Sequence, residues 1–261
     1  MDHTDQVQRS ERHQVILRAV EREQRSVHEL AALTGASTIS IRRDLGELAD
    51  QGMLRRVRGG AAPLARRGTR YPFALRQDDQ VETKRRLAAA AAALIGPGDS
   101  VVIDNGTTAC AVAAALVGRG VTAMALSLHA AAALAGRPGN QVIVPGGPVE
   151  PDDLTLQGPG AAEAVRSMTF DVAVVGACAA DPGTGLTVAT WADAHVKRAV
   201  LDSARRVVLV ATPEKFMRTA AHRFGALADL DTVITTSELP GDVVHLLRAA
   251  GVEVVLVEPE S

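Results

Sequence analysis

The chain has 261 residues, with 28 Lys+Arg against 30 Asp+Glu and a formal net charge of −2. Its 47% hydrophobic and 22% charged content is ordinary globular usage and excludes wholesale disorder. Two cysteines, Cys110 and Cys178, cannot build a disulfide scaffold or a four-ligand zinc site. No stretch approaches the ~18 unbroken apolar residues of a membrane span, and Met1 to Ser10 lacks the apolar core of a secretion signal. The expectation is a soluble, cytoplasmic, reduced chain long enough for two domains.

The charge is unevenly placed. Residues 1–70 hold 13 Arg and 9 acids, a net of +4, and the remainder carries −6. A basic head on an acidic body suggests a polyanion-binding module joined to a separate domain. In the head, Val15, Ile16, Ala19 and Val20 recur at helical spacing and predict a first helix from about Arg9 to Glu23. Ser26 followed by Glu29 is a capping box. It opens a second helix with Val27, Leu30, Ala31 and Leu33 on its buried side, stopped by Gly35. Ser37 caps a third helix whose Ile41, Leu45 and Leu48 share one stripe, with Gly52 ending it. Two short helices about such a turn predict a helix-turn-helix. Leu54 to Val57, Gly59-Gly60 and Ala61 to Leu64 then predict a strand, a tight turn and a return strand, the wing.

Ser37, Thr38, Ser40, Arg42 and Arg43 on the third helix, with Arg55, Arg56 and Arg58 on the wing, are the predicted DNA-binding residues. Small hydroxyl residues at a helix N-terminus allow close approach to phosphate. Arginine bonds phosphate oxygens or guanine edges. The competing reading is a helical dimerisation module with solvated arginines; caps, turn, stripe and basic wing together favour DNA. Asp44, an acid, is expected to orient Arg43 or a neighbouring helix rather than touch bases. The run Ser37-Thr38-Ile39-Ser40-Ile41-Arg42-Arg43-Asp44-Leu45, followed by Leu48, Gly52, Leu54 and Arg58-Gly59-Gly60-Ala61, resembles the DNA-binding signature of the DeoR family. The family usually has His where Arg58 stands, and a more cationic wing tip keeps phosphate binding.

The body alternates apolar strands with helices. The pattern predicts a helix over Val81 to Ile95, then strand Ser100–Asp104, helix Thr107–Val117, strand Val121–Leu126, helix Leu128–Ala135 and strand Gln141–Val144. Further on come strand Val172–Gly176, helix Trp191–Ala204, strand Val207–Val210 and a final set at Val233–Thr235, Val243–Ala250 and Val252–Val257. Such alternation implies an α/β fold with a mainly parallel sheet covered on both faces. The domains expected are a winged helix-turn-helix over 1–65, a linker over 66–80 and an α/β effector-binding and oligomerisation domain over 81–261.

Ligands of open α/β sheets sit at the strand ends. Asp104-Asn105-Gly106-Thr107-Thr108 follows a strand and opens a helix, so a phosphate fits there, and a plain strand-to-helix turn fits too. Gly146-Gly147 and Gly176 follow other strands. The chain has three lysines, and two of them, Lys197 and Lys215, fall near candidate sheet ends, where a surface salt bridge and a ligand contact are equally open readings. The resemblance continues through this region. The sensor domain of DeoR-type regulators is similar to sugar-phosphate isomerases and senses phosphorylated sugars. It implies an effector site of Asp104, Asn105, Gly106, Thr107, Thr108, Ser127, Gly146, Gly147, Gly176, Lys197 and Lys215. Departures from the family pattern fall at Asn105, Leu126, Cys178, Ala179 and His195, and they bear on which sugar is bound.

Isomerisation needs a general base. Cys178 and Ala179 stand where isomerases of the similar fold carry acids, Asp104 caps a strand, and His195 reads as a surface residue. Trp191 reads as packing, and His129 and His222 carry no metal spacing. The expectation is therefore a transcriptional regulator, a repressor of carbohydrate genes released by a phosphorylated sugar, with no catalytic residue, metal or cofactor. Its partners would be double-stranded operator DNA, a phosphorylated sugar or related metabolite as effector, and further copies of itself in a homo-oligomer, a dimer or higher. The alternatives are a sugar-phosphate isomerase with a basic appendage and an architectural DNA binder.

Overall fold

A computed structural model describes residues 9, 12–17, 19, 20, 23–50, 54–62 and 73–259. The chain splits into two compact units, Met1–Asp79 and Gln80–Ser261. The expected helix end at Gly52, the return-strand residues Pro63 and Leu64, and the linker segment Arg66 to Tyr71 lie outside the described residues. Within the rest of the expected linker, Phe73–Gln77 is helical.

In the first unit, residues 12–17 and 19–20 are helical and bury His13, Ile16, Leu17 and Val20. This i, i+3, i+4, i+7 stripe leaves Val15 39% exposed, against the expectation that it faced inward. The helix Val27–Thr34 starts at the predicted capping box: Glu29 N–H donates to Ser26 Oγ at 3.2 Å and Ser26 N–H donates to Glu29 Oε2 at 2.7 Å. It buries Val27 and Leu30, while Leu33 falls outside the stripe and is 56% exposed. The helix Thr38–Asp50 lays Ile41, Leu45 and Leu48 on the same core.

The wing has one strand more than expected. β1 (Arg25–Ser26), β2 (Arg55–Val57) and β3 (Gly60–Ala62) form an antiparallel sheet in the order β1-β3-β2. Gly60 lies opposite Ser26, and a Cβ there would sit 2.0 Å from the Arg25 carbonyl oxygen, so a side chain would separate the strands.

The second unit is built on β4 (Ser100–Ile103), β5 (Thr122–Ala125), β6 (Gln141–Ile143), β7 (Phe170–Val175), β10 (Ala204–Val210), β12 (Thr232–Thr236) and β13 (Glu253–Val257). They form one parallel sheet in the order β13-β12-β10-β7-β4-β5-β6. Side chains alternate faces with period two. Val101, Ile103, Val172, Val174, Val208 and Val210 pack under the helices Val81–Ala92, Thr107–Ala115 and Leu128–Leu134. Val102, Ala173, Val175, Val207 and Leu209 pack under Pro159–Arg166, Trp191–Ser203 and Gly241–Ala249. Both faces are thus covered, which is why the strands read as continuous apolar runs. A small antiparallel sheet of β8 (Ala179–Asp181), β9 (Gly185–Val188) and β11 (His222–Gly225), ordered β11-β9-β8, lies outside the alternation read from the sequence.

Candidate functional site

In the first unit the helix Thr38–Asp50 and the wing carry exposed cations. Ser37 caps that helix: Ser40 N–H donates to Ser37 Oγ at 3.2 Å, and the two hydroxyls lie 3.0 Å apart. Two of the predicted DNA ligands are therefore engaged with each other at the helix start, and Thr38 is half-buried beside them. Arg42 and Arg43 are exposed opposite the packed stripe. Arg43 lies 3.5 Å from Glu47, and Arg42 has no hydrogen bond or ion pair among the described residues. Arg55, Arg56 and Arg58 are exposed on the wing. A Cβ at Gly46 would lie 3.9 Å from Arg56 Nη1, so the wing guanidinium runs over the helix at its one side-chain-free position.

Asp44 is 1% exposed. It accepts from Arg12 Nε at 2.6 Å, from Arg12 Nη2 at 3.2 Å and from His13 Nε2 at 3.2 Å. Burial by itself would raise this carboxyl; the bonds from Arg12 and His13 outweigh it and hold Asp44 below the ordinary aspartate value. Of the two roles expected for Asp44, the structure supports the second: it ties its helix to the neighbouring one. Donor atoms of His13, Asp44 and Glu47 lie within 4.8 Å of one another. The guanidinium groups of Arg12 and Arg9 already neutralise both carboxylates.

In the second unit, the order of the central sheet reverses between β4 and β7: the chain runs outward from β4 through β5 to β6, then returns to β7 on the other side. The crevice at the carboxyl ends of β4 and β7 is the switch point where open α/β sheets take ligands. Asp104 ends β4 there, 1% exposed. Its Oδ2 accepts from Gly176 N–H at 2.6 Å and from Lys197 Nζ. Lys197, also 1% exposed, donates to Gly176 O at 3.1 Å and lies 3.8 Å from Asp193. Asn105 Nδ2 donates to Asp193 Oδ1 at 3.1 Å. Burial disfavours the Lys197 ammonium, but Asp104 and Asp193 outweigh it and raise the lysine above its ordinary value. The structure thus brings Asp104, Asn105, Gly176 and Lys197 together in one buried network. Asp193 was missed in the sequence, although an Asp four residues before a Lys on one helix is a readable pair.

Gly106, at φ 96°, starts the helix Thr107–Ala115 with no side-chain cap. Its first-turn amides are free of any such partner, with Thr107 and Thr108 half-buried beside them. Lys215 lies in the 3-10 turn Pro213–Met217 after β10, half-buried, and its ammonium has no hydrogen bond or ion pair among the described residues. Three predicted positions lie elsewhere. Ser127 is fully buried and caps Leu128–Leu134 by accepting from Ala130 N–H at 3.2 Å, so it has no exposed atom to offer a ligand. Gly146 and Gly147 follow β6, two strands from the switch point. A Cβ on Gly147 would meet the Gln157 carbonyl at 2.7 Å, so glycine is required there by close chain packing. Leu126 is a core residue, 1% exposed. Trp191, read as packing, is 58% exposed and stacks on His195 with ring centroids 5.2 Å apart. Among the described residues, no helix is long and apolar enough to cross a membrane.

Residues 12–66 match the DeoR-like helix-turn-helix domain, and residues 79–237 match the DeoR C terminal sensor domain. The chain is 32% identical to the glycerol-3-phosphate regulon repressor of Haemophilus influenzae, over 96% of this chain and 98% of that protein. It is 32% identical to the HTH-type transcriptional regulator GlpR of Haloferax volcanii, over 88% and 91% of the two chains. It is 30% identical to the HTH-type transcriptional repressor CsqR of Escherichia coli K12, over 95% of each. Among solved structures, the ribose 5-phosphate isomerase A of Methanocaldococcus jannaschii is similar over 53% of this chain and 55% of its own, at 17% identity and TM-score 0.38. The relatives that span nearly the whole chain are regulators, and the isomerase reading is set aside. The chain belongs to the DeoR family and is a DNA-binding transcriptional repressor.

Proposed function

We propose that the body binds a phosphorylated metabolite at the crevice beside β4, β7 and β10, and that this binding releases the head from operator DNA. The observation that carries the reading is the half-buried Lys215 ammonium, which has no hydrogen bond or ion pair among the described residues. It follows β10, with β7 between it and β4, so at ~4.8 Å per strand its loop lies about 10 Å from the open helix start at Gly106. A cation within reach of uncapped helix amides is an arrangement that suits a phosphate. Three relatives are named for a glycerol-3-phosphate regulon, which supports a phosphorylated carbon source as the signal and carbohydrate genes as the target. The head, residues 1–65, contacts the DNA backbone through Arg42, Arg43, Arg55, Arg56 and Arg58. The segment 66–80 joins it to the body, 81–261, and two copies bind a two-fold related site. Ligand acts by binding one arrangement more tightly than the other.

Thermal unfolding against phosphorylated sugars and glycerol phosphates, each beside its unphosphorylated form, tests this. A ligand at 100 times its Kd stabilises by ~2.7 kcal/mol, a shift of about 5–10 °C for a domain of this size. Lys215→Ala removes the shift and leaves DNA affinity in place. A ligand that shifts both proteins equally excludes Lys215 from the site.

A further inference from the structure

We infer that Ile39 reads a thymine methyl group in the operator. Ile39 is 76% exposed, more than any other large hydrophobic residue among those described. It stands in the first turn of the helix Thr38–Asp50, on the side that carries Arg42 and Arg43 and away from the packed stripe of Ile41, Leu45 and Leu48. Residues in this part of a helix-turn-helix reading helix reach base edges. The neighbours that could compete for the groove are short or engaged: Ser37 and Ser40 hold each other at the cap, and Thr38 is half-buried. Ile39 is left to enter it, with the cations Arg42 and Arg43 beside it to meet the backbone.

The flanking guanidinium groups select a polyanion as the occupant of this face, and so exclude an apolar protein surface. Within the major groove of DNA, the apolar feature of a base edge is the C5-methyl of thymine. A branched aliphatic side chain delivered there by its cationic neighbours meets that methyl or loses water for no return. The inference rests on this helix being the DNA-reading element.

Full-length wild type, Ile39→Ala and Arg42→Ala are each used to select sites from a random duplex library. Wild-type sites carry a fixed thymine in each half-site that Ile39→Ala sites lose. On the wild-type site, replacing that thymine by deoxyuridine removes the methyl alone; it weakens wild type by about four-fold for each base replaced, as for one buried methylene, and leaves Ile39→Ala unchanged. Equal losses for both proteins, or the same thymine in both selections, overturn the role of Ile39. If Arg42→Ala keeps full affinity and the wild-type site, the helix is not the reader and the underlying reading fails with it. The exposed position of Ile39 leaves folding out of the comparison, and unchanged melting temperatures check that.

Discussion

Lys197→Met removes the cation from a pair in which both partners are 1% exposed. Asp104 keeps the Gly176 N–H at 2.6 Å on Oδ2, but its Oδ1 has no partner among the described residues and is buried. The methionine side chain would fill much of the lysine volume, so the loss is electrostatic: a carboxylate left without its counter-charge in a dry crevice. Breaking one side of a buried pair costs about 3–5 kcal/mol, which lowers the melting temperature of a domain this size by about 6–20 °C. The assay is thermal unfolding by circular dichroism at pH 7 on wild type, Lys197→Met, Asp104→Asn and the double variant. The double variant should lose less than the sum of the singles, with a coupling of about 1–3 kcal/mol, because neither buried group is then charged. A Lys197→Met protein melting within ~2 °C of wild type, or strict additivity in the cycle, refutes the account of the pair as the clamp between β4 and β7.

Asp44→Asn should destabilise the head by about 1.5–3 kcal/mol, the range for hydrogen bonds to a charged group, measured by urea unfolding of the full chain. The pH dependence has a definite sign. Because Asp44 is held below its ordinary value, its contribution is complete above about pH 3.9 and is lost as pH falls through the lowered folded value; the Asp44→Asn variant should show a flatter acid limb, and an unchanged limb would assign it to other carboxylates. Gly60→Ala places a methyl 2.0 Å from the Arg25 carbonyl and 2.8 Å from Ser26 Cα. It should part β1 from β3 and cost DNA affinity at least ten-fold, read by gel shift, while the melting of the body stays in place. Arg42→Ala and Arg43→Ala should each lower the slope of log affinity against log salt by ~0.9 if each guanidinium meets one phosphate. A slope unchanged in both variants removes them from the backbone contact.

Most of the architecture was legible because the signals are local. The capping box at Ser26 and Glu29, the stripe of Ile41, Leu45 and Leu48, and the runs Val101–Ile103 and Val172–Val175 each declare their element within a few residues. The misses have physical causes. Ala179–Asp181 and Gly185–Val188 are too short for a period to show; they pair with each other, and Gly185–Val188 pairs with the distant His222–Gly225. The helix Pro159–Arg166 buries Ala161, Ala162 and Val165, a faint stripe, yet Pro159 in its first turn was a usable start signal. Val15 and Leu33 lie one position off their stripes, a distinction that composition does not make. At the site, motif matching placed the loops but not the orientation of their side chains. Ser127 and Leu126 both follow β5, and both turn into the protein.

The two lysines near the sheet ends looked alike in sequence and have opposite environments in the fold. Lys197 is held by Asp104, Gly176 and Asp193, so the buried carboxylate at the joint between β4 and β7 has its counter-charge within the fold. Two of the lysine's three N–H bonds are already taken by Asp104 and Gly176, and its removal should be felt in stability. Lys215 is half-buried and its ammonium has no partner among the described residues, so its charge is open to water or to an arriving anion. The proposed effector site uses this division: a frame at β4 and β7 beside the helix amides at Gly106, and a cation, Lys215, whose energy would change when ligand arrives. On the proposed reading, it is the second kind of group that would supply the differential affinity needed to shift the repressor from one arrangement to another.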